Sequence, residues 1–193
     1  MVAARFALVI VDMLKDFFHQ HPTLSSKRAG LVAAINGLTR AFREHQQPII
    51  WIRQEFAPDL SDAFLVMRKR NLRVTIAGTE GCEILPELQR HPSDTIIVKK
   101  RYSAFFGTEL DAILRALRPP SLVIAGVNTH ACVRATVIDA YQRDYEVIVV
   151  SDGIASYDVE HHEITKRYLE GTIARFLPSA EIVKRLSSDN GTA

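Results

Sequence analysis

The chain has 193 residues, 47% of them hydrophobic and 24% charged, with a formal net charge of +2. That length and apolar content suit one globular domain with a sizeable core. The near-neutral balance gives no electrostatic case for nucleic acid or an anionic membrane surface, and no apolar run approaches the length of a membrane span.

In chain order, Phe6 to Val11 reads as a buried strand that ends on Asp12. Apolar residues Leu31, Ile35, Leu38 and Phe42 recur at spacings of three and four, which predicts a helix over Ser26 to His45. A second strand is expected over Pro48 to Ile52. The stretch from Gln54 to Pro92 shows no clear strand, and a connection of that length is expected to act as a lid or a subunit contact. Its basic run Met67-Arg68-Lys69-Arg70 reads as a solvated helix face. A third strand, Thr95 to Val98, runs into Lys99.

A helix over Thr108 to Leu117, with Thr108 as N-cap, is stopped by Pro119-Pro120. The fourth strand, Ser121 to Ala125, leads into a helix over Cys132 to Arg143. A fifth strand covers Glu146 to Val150, and a helix runs from Asp158 or Val159 to about Ile173. A short sixth strand is expected at Glu181 to Val183. The polar residues 187–193 are expected to form a flexible tail after a single domain over residues 1–186.

Strands that are apolar on both faces and alternate with helices predict an α/β fold. The expected architecture is a doubly wound, six-stranded, mostly parallel sheet with helices on both faces. Right-handed crossovers then place the loops after the strands along one edge, where the strand order reverses. Asp12, Lys99 and Cys132 follow the first, third and fourth strands, so they can meet there. A helix start favours negative charge, which would stabilise a thiolate at Cys132. A carboxylate beside it can take the thiol proton, and a lysine favours both charged forms.

There are two cysteines, and neither belongs to a Cys-x-x-Cys pair, so a zinc knuckle or a thioredoxin-type motif is not indicated. Cys82, in Gly78-Thr79-Glu80-Gly81-Cys82, precedes a short amphipathic stretch and is not expected to be catalytic. The adjacent His161 and His162 are expected to face solvent. Met1 to Arg5 has no signal-peptide layout, and a reducing, cytoplasmic setting is expected.

Three segments carry a resemblance. They are Val11-Asp12-Met13 with Asp16-Phe17, then Val98-Lys99-Lys100-Arg101-Tyr102-Ser103-Ala104-Phe105-Phe106-Gly107, then Gly126-Val127-Asn128-Thr129-His130-Ala131-Cys132-Val133 with Thr136 and Asp139-Ala140. Their order and spacing resemble the isochorismatase-like cysteine hydrolase superfamily over residues 5 to 155. The resemblance implies a Rossmann-like sheet and an Asp–Lys–Cys triad, with Asp12 as general base and acid, Lys99 rather than Lys100 as its partner, and Cys132 as nucleophile. It also implies a cis peptide between Val127 and Asn128, with the N–H groups of Asn128 and Cys132 forming the oxyanion hole.

Within that superfamily, isochorismatases often carry glycine where this chain has Cys132, which favours the amidohydrolase branch. Nicotinamidases carry an Asp-x-His metal motif where this chain reads Arg53-Gln54-Glu55-Phe56, so no metal and no cofactor are expected. The chain then resembles amidohydrolases of ureido and carbamoyl substrates, such as N-carbamoylsarcosine amidase and ureidoacrylate amidohydrolase. Phe17, Gln54, Glu55, Tyr102, Phe106 and Thr129 are the candidates for binding a small amide or ureide, and Arg101 or Arg68 for holding a carboxylate. A homo-oligomer, dimer or tetramer, is implied as well. A vinyl-ether hydrolase of the isochorismatase type and a non-catalytic thiol redox or binding module are the alternative readings.

Overall fold

The computed structural model describes residues 5–188. The strands are β1 (Phe6–Val11), β2 (Ile49–Gln54), β3 (Thr95–Lys99), β4 (Ser121–Val127), β5 (Glu146–Ala155) and β6 (Arg175–Leu177). They form one six-stranded sheet in the order β3-β2-β1-β4-β5-β6. Every neighbouring pair is parallel.

The helices are α1 (Lys15–Gln20), α2 (Pro22–Glu44), α3 (Leu65–Arg70), α4 (Leu110–Leu117), α5 (Arg134–Tyr141), α6 (Val159–Leu169) and α7 (Ser179–Ser188). Alternate strand residues serve the two faces. Leu8, Ile10, Trp51 and Val123 pack against Phe18, Ile35, Phe42 and Ile182 of α1, α2 and α7. Val9, Ile52, Ile124 and Val149 pack against Leu114, Val137 and Leu169 of α4, α5 and α6. Burying a side chain such as Phe42 contributes about 1.5–3 kcal/mol. Removing both faces of β1 from water is what makes its run of six apolar residues a central strand.

From β1 the chain moves outward through β2 to β3, then returns to the other side of β1 as β4. The reversal between β1 and β4 leaves a crevice at their C-terminal ends, the usual place for a site in such sheets.

The sixth strand lies at Arg175–Leu177, not at Glu181 to Val183. Those three residues sit inside α7, where Ile182 and Leu186 are buried four residues apart. Asp152 starts this helix by accepting both the N–H and the hydroxyl of Ser179. An apolar pair in sequence could not distinguish the two states. The segment after Asp12 forms α1, which apolar periodicity did not reveal. Pro22 opens α2, where a missing N–H costs nothing. Helix α6 stops at Leu169, four residues early, beside Gly171 at φ +87°. Ser187 and Ser188 belong to α7, and the rest of the expected tail, 189–193, lies outside the described residues.

The long connection has its own small core of Phe56, Leu60, Ala63, Met67 and Ile76. It holds α3 and a 3-10 turn at Glu80–Cys82. Arg68, Lys69 and Arg70 are exposed on α3 while Met67 is buried, as expected of a solvated face. The end of the connection is stitched to the chain just after β1. Leu14 pairs with Ile84, Lys15 N–H donates to Glu83 at 3.0 Å, and Leu85 N–H donates to Met13 at 2.9 Å. The Asp16 carboxylate accepts from Thr75 N–H at 2.7 Å. Gly81 passes so close to that carboxylate that any Cβ would collide with it.

Candidate active site

Asp12 is the first residue beyond β1 and has φ +51°. Aspartate is among the few side chains that tolerate this left-handed conformation. The turn drops its carboxylate into the crevice beside β4. Opposite Val11, Gly126 has φ +116°, and a Cβ there would collide with the Val11 carbonyl, so glycine is required. The Asp12 N–H stays in the sheet by donating to Ile52 at 3.0 Å, and its Oδ1 accepts from the Gln54 N–H at 2.8 Å.

Lys99 ends β3, which lies two strands from β1. At the usual inter-strand spacing the backbones are roughly 10 Å apart. A long side chain is needed to cross the end of β2, and lysine supplies it. The Lys99 Nζ reaches Asp12 Oδ2 at 2.7 Å, with both side chains 0% exposed. The approach is an ion-pair contact outside hydrogen-bond angles, so Oδ2 retains an acceptor position with no aligned donor. The ammonium donates instead to the Arg101 carbonyl at 3.0 Å and to Cys132 Sγ at 3.3 Å. Burial pulls the Lys99 pKa down, but the Asp12 carboxylate and the Cys132 sulfur outweigh it and hold it above its ordinary value.

Cys132 lies in a π-helical turn, Thr129–Val133, that precedes α5. The helical stretch thus begins three residues before the cysteine, in a geometry common at functional sites. The peptide between Val127 and Asn128 is cis. Cys132 is 3% exposed. Burial pushes its thiol up to about 12, with Lys99 pulling against that rise. The helix start is expected to favour a thiolate, and burial acts against it. Loss of hydration, with the Asp12 carboxylate adding to it, thus opposes the stabilisation of a thiolate by the lysine and the helix start.

The candidate binding residues divide into two groups. Gln54 is buried at the end of β2, and Asn128 and Thr129 are buried just after β4, next to the three central groups. Gln54 Nε2 and Thr129 Oγ1 are buried with no hydrogen-bond partner. Buried polar atoms left unpaired cost about 1–3 kcal/mol each, so they point to a ligand that satisfies them. Phe17 packs against the α1–α2 core. Glu55 is paired with Arg53 at 2.6 Å. Tyr102 and Phe106 lie at the surface, Phe106 being 65% exposed. Tyr102 leans on Phe64 at 4.9 Å between ring centres. Arg101 donates to the Asp62 and Lys100 carbonyls and lies over the Phe64 ring, whereas Arg68 is exposed on α3.

One part of the neighbourhood was not legible in the sequence. His130 Nδ1 lies 2.6 Å from Ser156 Oγ, and its ring meets Tyr157 edge-on at 5.1 Å. Tyr157 is stacked on His21 at 4.2 Å, and its N–H is 3.4 Å from Asn128 Oδ1. Ser156 and Tyr157 follow β5, which runs to Ala155 rather than Val150. The strand-end rule that singled out Asp12 and Lys99 would have found them, but Asp152-Gly153 masked the continuation of the strand. Burial lowers the pKa of both His21 and His130. His161 is exposed, but His162 is buried with Nδ1 unpartnered, correcting the expectation that both face solvent. Cys82 is also buried, and its thiol donates to the Thr79 carbonyl at 3.2 Å.

The residues here do not suit a metal at the β2 end. Arg53 and Glu55 neutralise each other, and Gln54 between them offers a poor ligand. Among the described residues no group of three or more His, Cys, Asp or Glu side chains has metal-binding geometry.

The sheet and its crevice define a parallel α/β fold with a site at the reversal of strand order. The Isochorismatase domain matches residues 6–181, and the chain belongs to that family. It is 33% identical over 167 residues to ureidoacrylate amidohydrolase RutB of Methylorubrum extorquens, covering 75% of this chain and 67% of that protein. A cysteine hydrolase from Pseudomonas syringae pv. phaseolicola superposes with a TM-score of 0.88 at 26% identity, covering 97% of this chain and 95% of that one. N-carbamoylsarcosine amidase from Thermoplasma acidophilum gives 0.75 at 28% identity, covering 91% and 96%. These relatives include an amidohydrolase and an amidase, and this chain is a hydrolase of the isochorismatase family.

Proposed function

We propose that this protein is a metal-independent cysteine amidohydrolase that cleaves the C–N bond of a small amide, ureido or carbamoyl substrate. One observation carries the reading. A buried carboxylate, a buried ammonium and a thiol from three strands stand in sequence at 2.7 and 3.3 Å.

In the proposed reaction, Asp12 Oδ2 removes the thiol proton as Sγ attacks the substrate carbonyl carbon. Burial and the Asp12 charge disfavour a free thiolate, so proton removal is coupled to attack. Lys99 keeps a positive charge beside both groups throughout. The oxyanion of the tetrahedral intermediate is held by the N–H groups of Asn128 and Cys132. Collapse breaks the C–N bond as protonated Asp12 gives its proton to the leaving nitrogen. A water then attacks the thioester while Asp12 takes its proton, and that proton returns to Sγ. Gln54 and Thr129 are the substrate contacts supported best, because their unpaired polar atoms are buried beside the three central groups and a bound ligand can pair with them.

The reading includes a homo-oligomer, which exposed rings such as Tyr102, Phe106 and Tyr168 support. A cytoplasmic setting belongs to it too. Among the described residues no helix is long and apolar enough to cross a membrane.

The test is ammonia release from nicotinamide, N-carbamoylsarcosine and ureidoacrylate with chelator present. The expected result is release from a ureido or carbamoyl compound that chelator does not diminish. Release abolished by chelator and restored by a divalent metal would contradict metal independence. A silent panel with isochorismate cleaved would move the assignment to vinyl-ether hydrolysis.

A further inference from the structure

Thr136 lies four residues after Cys132 on the inner side of α5 and is 1% exposed. Its Oγ1 donates to the Cys132 carbonyl at 2.7 Å and accepts from the Ala104 N–H at 3.0 Å. The first bond is an ordinary habit of threonine in helices. The second is not local. Ala104 is buried in the loop that follows β3, five residues beyond Lys99.

One hydroxyl therefore ties the turn carrying Cys132 to the loop leaving the strand that carries Lys99. That loop is internally braced, so the tie is stiff at both ends. Ser103 Oγ accepts from the Phe105 N–H at 3.1 Å, and Thr108 donates to the Ala104 carbonyl. The Lys99 ammonium is itself anchored to the loop through the Arg101 carbonyl at 3.0 Å. The sheet alone fixes the Cys132–Lys99 distance indirectly, because β3 and β4 are separated by β2 and β1. Thr136 supplies a direct link over that gap.

We propose that Thr136 is a positioning residue for the hydrolysis, holding the Cys132 sulfur against the Lys99 ammonium by pinning residues 100–105 to the nucleophile turn. The proposal rests on the reading of Asp12, Lys99 and Cys132 as the catalytic group. Reactions that need aligned groups are sensitive to small displacements, with about 10²-fold lost for a 1 Å shift. Thr136 touches neither substrate nor reacting atoms, so its effect passes through Cys132.

Two variants separate positioning from simple support of the fold. Thr136→Val keeps the shape and removes both bonds, while Thr136→Ser keeps the hydroxyl. In Thr136→Val, kcat is expected to fall roughly 10- to 100-fold with KM within about twofold of wild type. Iodoacetamide alkylation of Cys132 at pH 8, followed by peptide mass spectrometry, is expected to speed up at least about threefold as the unpinned turn opens. Thr136→Ser is expected to restore both values.

Wild-type kinetics and alkylation in Thr136→Val would overturn the proposal. So would equal losses in both variants that follow the folded fraction seen by circular dichroism. The alkylation measurement needs no substrate. Turnover surviving in Cys132→Ala would overturn the catalytic reading beneath the proposal. An inactive Cys132→Ala beside an unchanged Thr136→Val would overturn the positioning role alone.

Discussion

Cys132 and Cys82 are alike in most local respects. Both are buried, both lie in short helical turns, and burial raises the pKa of both thiols. They differ in what the sulfur meets. Cys82 donates to the Thr79 carbonyl and lies near Glu55, a carboxylate already held by Arg53 in a partly exposed ion pair. Cys132 stands against an ammonium that also holds a carboxylate. Burial and a helical turn thus do not make a nucleophile. A carboxylate and an ammonium that are both fully buried and fixed against the sulfur do, and the sheet supplies them at Cys132, where three strand ends converge.

That contrast can be broken most severely by exchanging the sulfurs for methyl groups. Cys132→Ala is expected to lower amide turnover at least about 10³-fold, whereas Cys82→Ala remains within about twofold. Steady-state ammonia release measures both. Comparable losses in the two variants would dissolve the distinction.

The next test concerns stability. Lys99 and Asp12 are fully buried and paired, and removing one partner strands the other charge. Lys99→Met is expected to cost about 3–5 kcal/mol in urea denaturation. Cys82→Ser leaves the nearby Arg53–Glu55 pair intact and partly exposed, and should cost less.

Around Cys82 the sharper probe is its neighbour. Gly81→Ala would drive a methyl into the Asp16 carboxylate and disturb its bond to Thr75. A loss of about 1–3 kcal/mol is expected, as for other overpacked sites. Early proteolysis between residues 70 and 90 would locate the damage.

The smallest effect is a pH slope. The Cys132 thiol titrates near 12 in the fold against 9.0 ordinarily, so above about pH 9 the unfolded chain releases a proton that the native state keeps. Stability present below that pH is lost as pH rises toward 12. The raised Lys99 pKa acts in the same direction, its contribution fading as pH climbs through the native value. Melting temperatures at pH 8 and pH 10.5 should fall less steeply in Cys132→Ala than in wild type. Equal slopes would contradict the assignment.

The sequence carried the sheet well where strands were long and apolar on both faces. It failed at β6, where three residues compete with a helix that Asp152 starts through Ser179. It also missed α1, whose six residues bury only Phe18 and so show no period. For the site, strand-end logic led to Asp12 and Cys132, while preferring Lys99 to Lys100 needed the family pattern. Alternation along β3 explains that choice. Lys99 is buried on the same side as Ile97, and Lys100 turns away to Asp62 at 2.8 Å. The upward push on the Cys132 thiol was not legible at all. Burial decides it, and burial depends on how tightly the crevice closes over the sulfur.

The central claim is that Cys132 forms a covalent bond to the substrate. Rapid quenching of wild type with a turned-over carbamoyl or ureido compound, followed by peptide mass spectrometry, tests it most directly. The account predicts a transient thioester-linked adduct on the peptide carrying Cys132 and none on the peptide carrying Cys82. Turnover with no adduct on Cys132, together with undiminished turnover in Cys132→Ala, would contradict it.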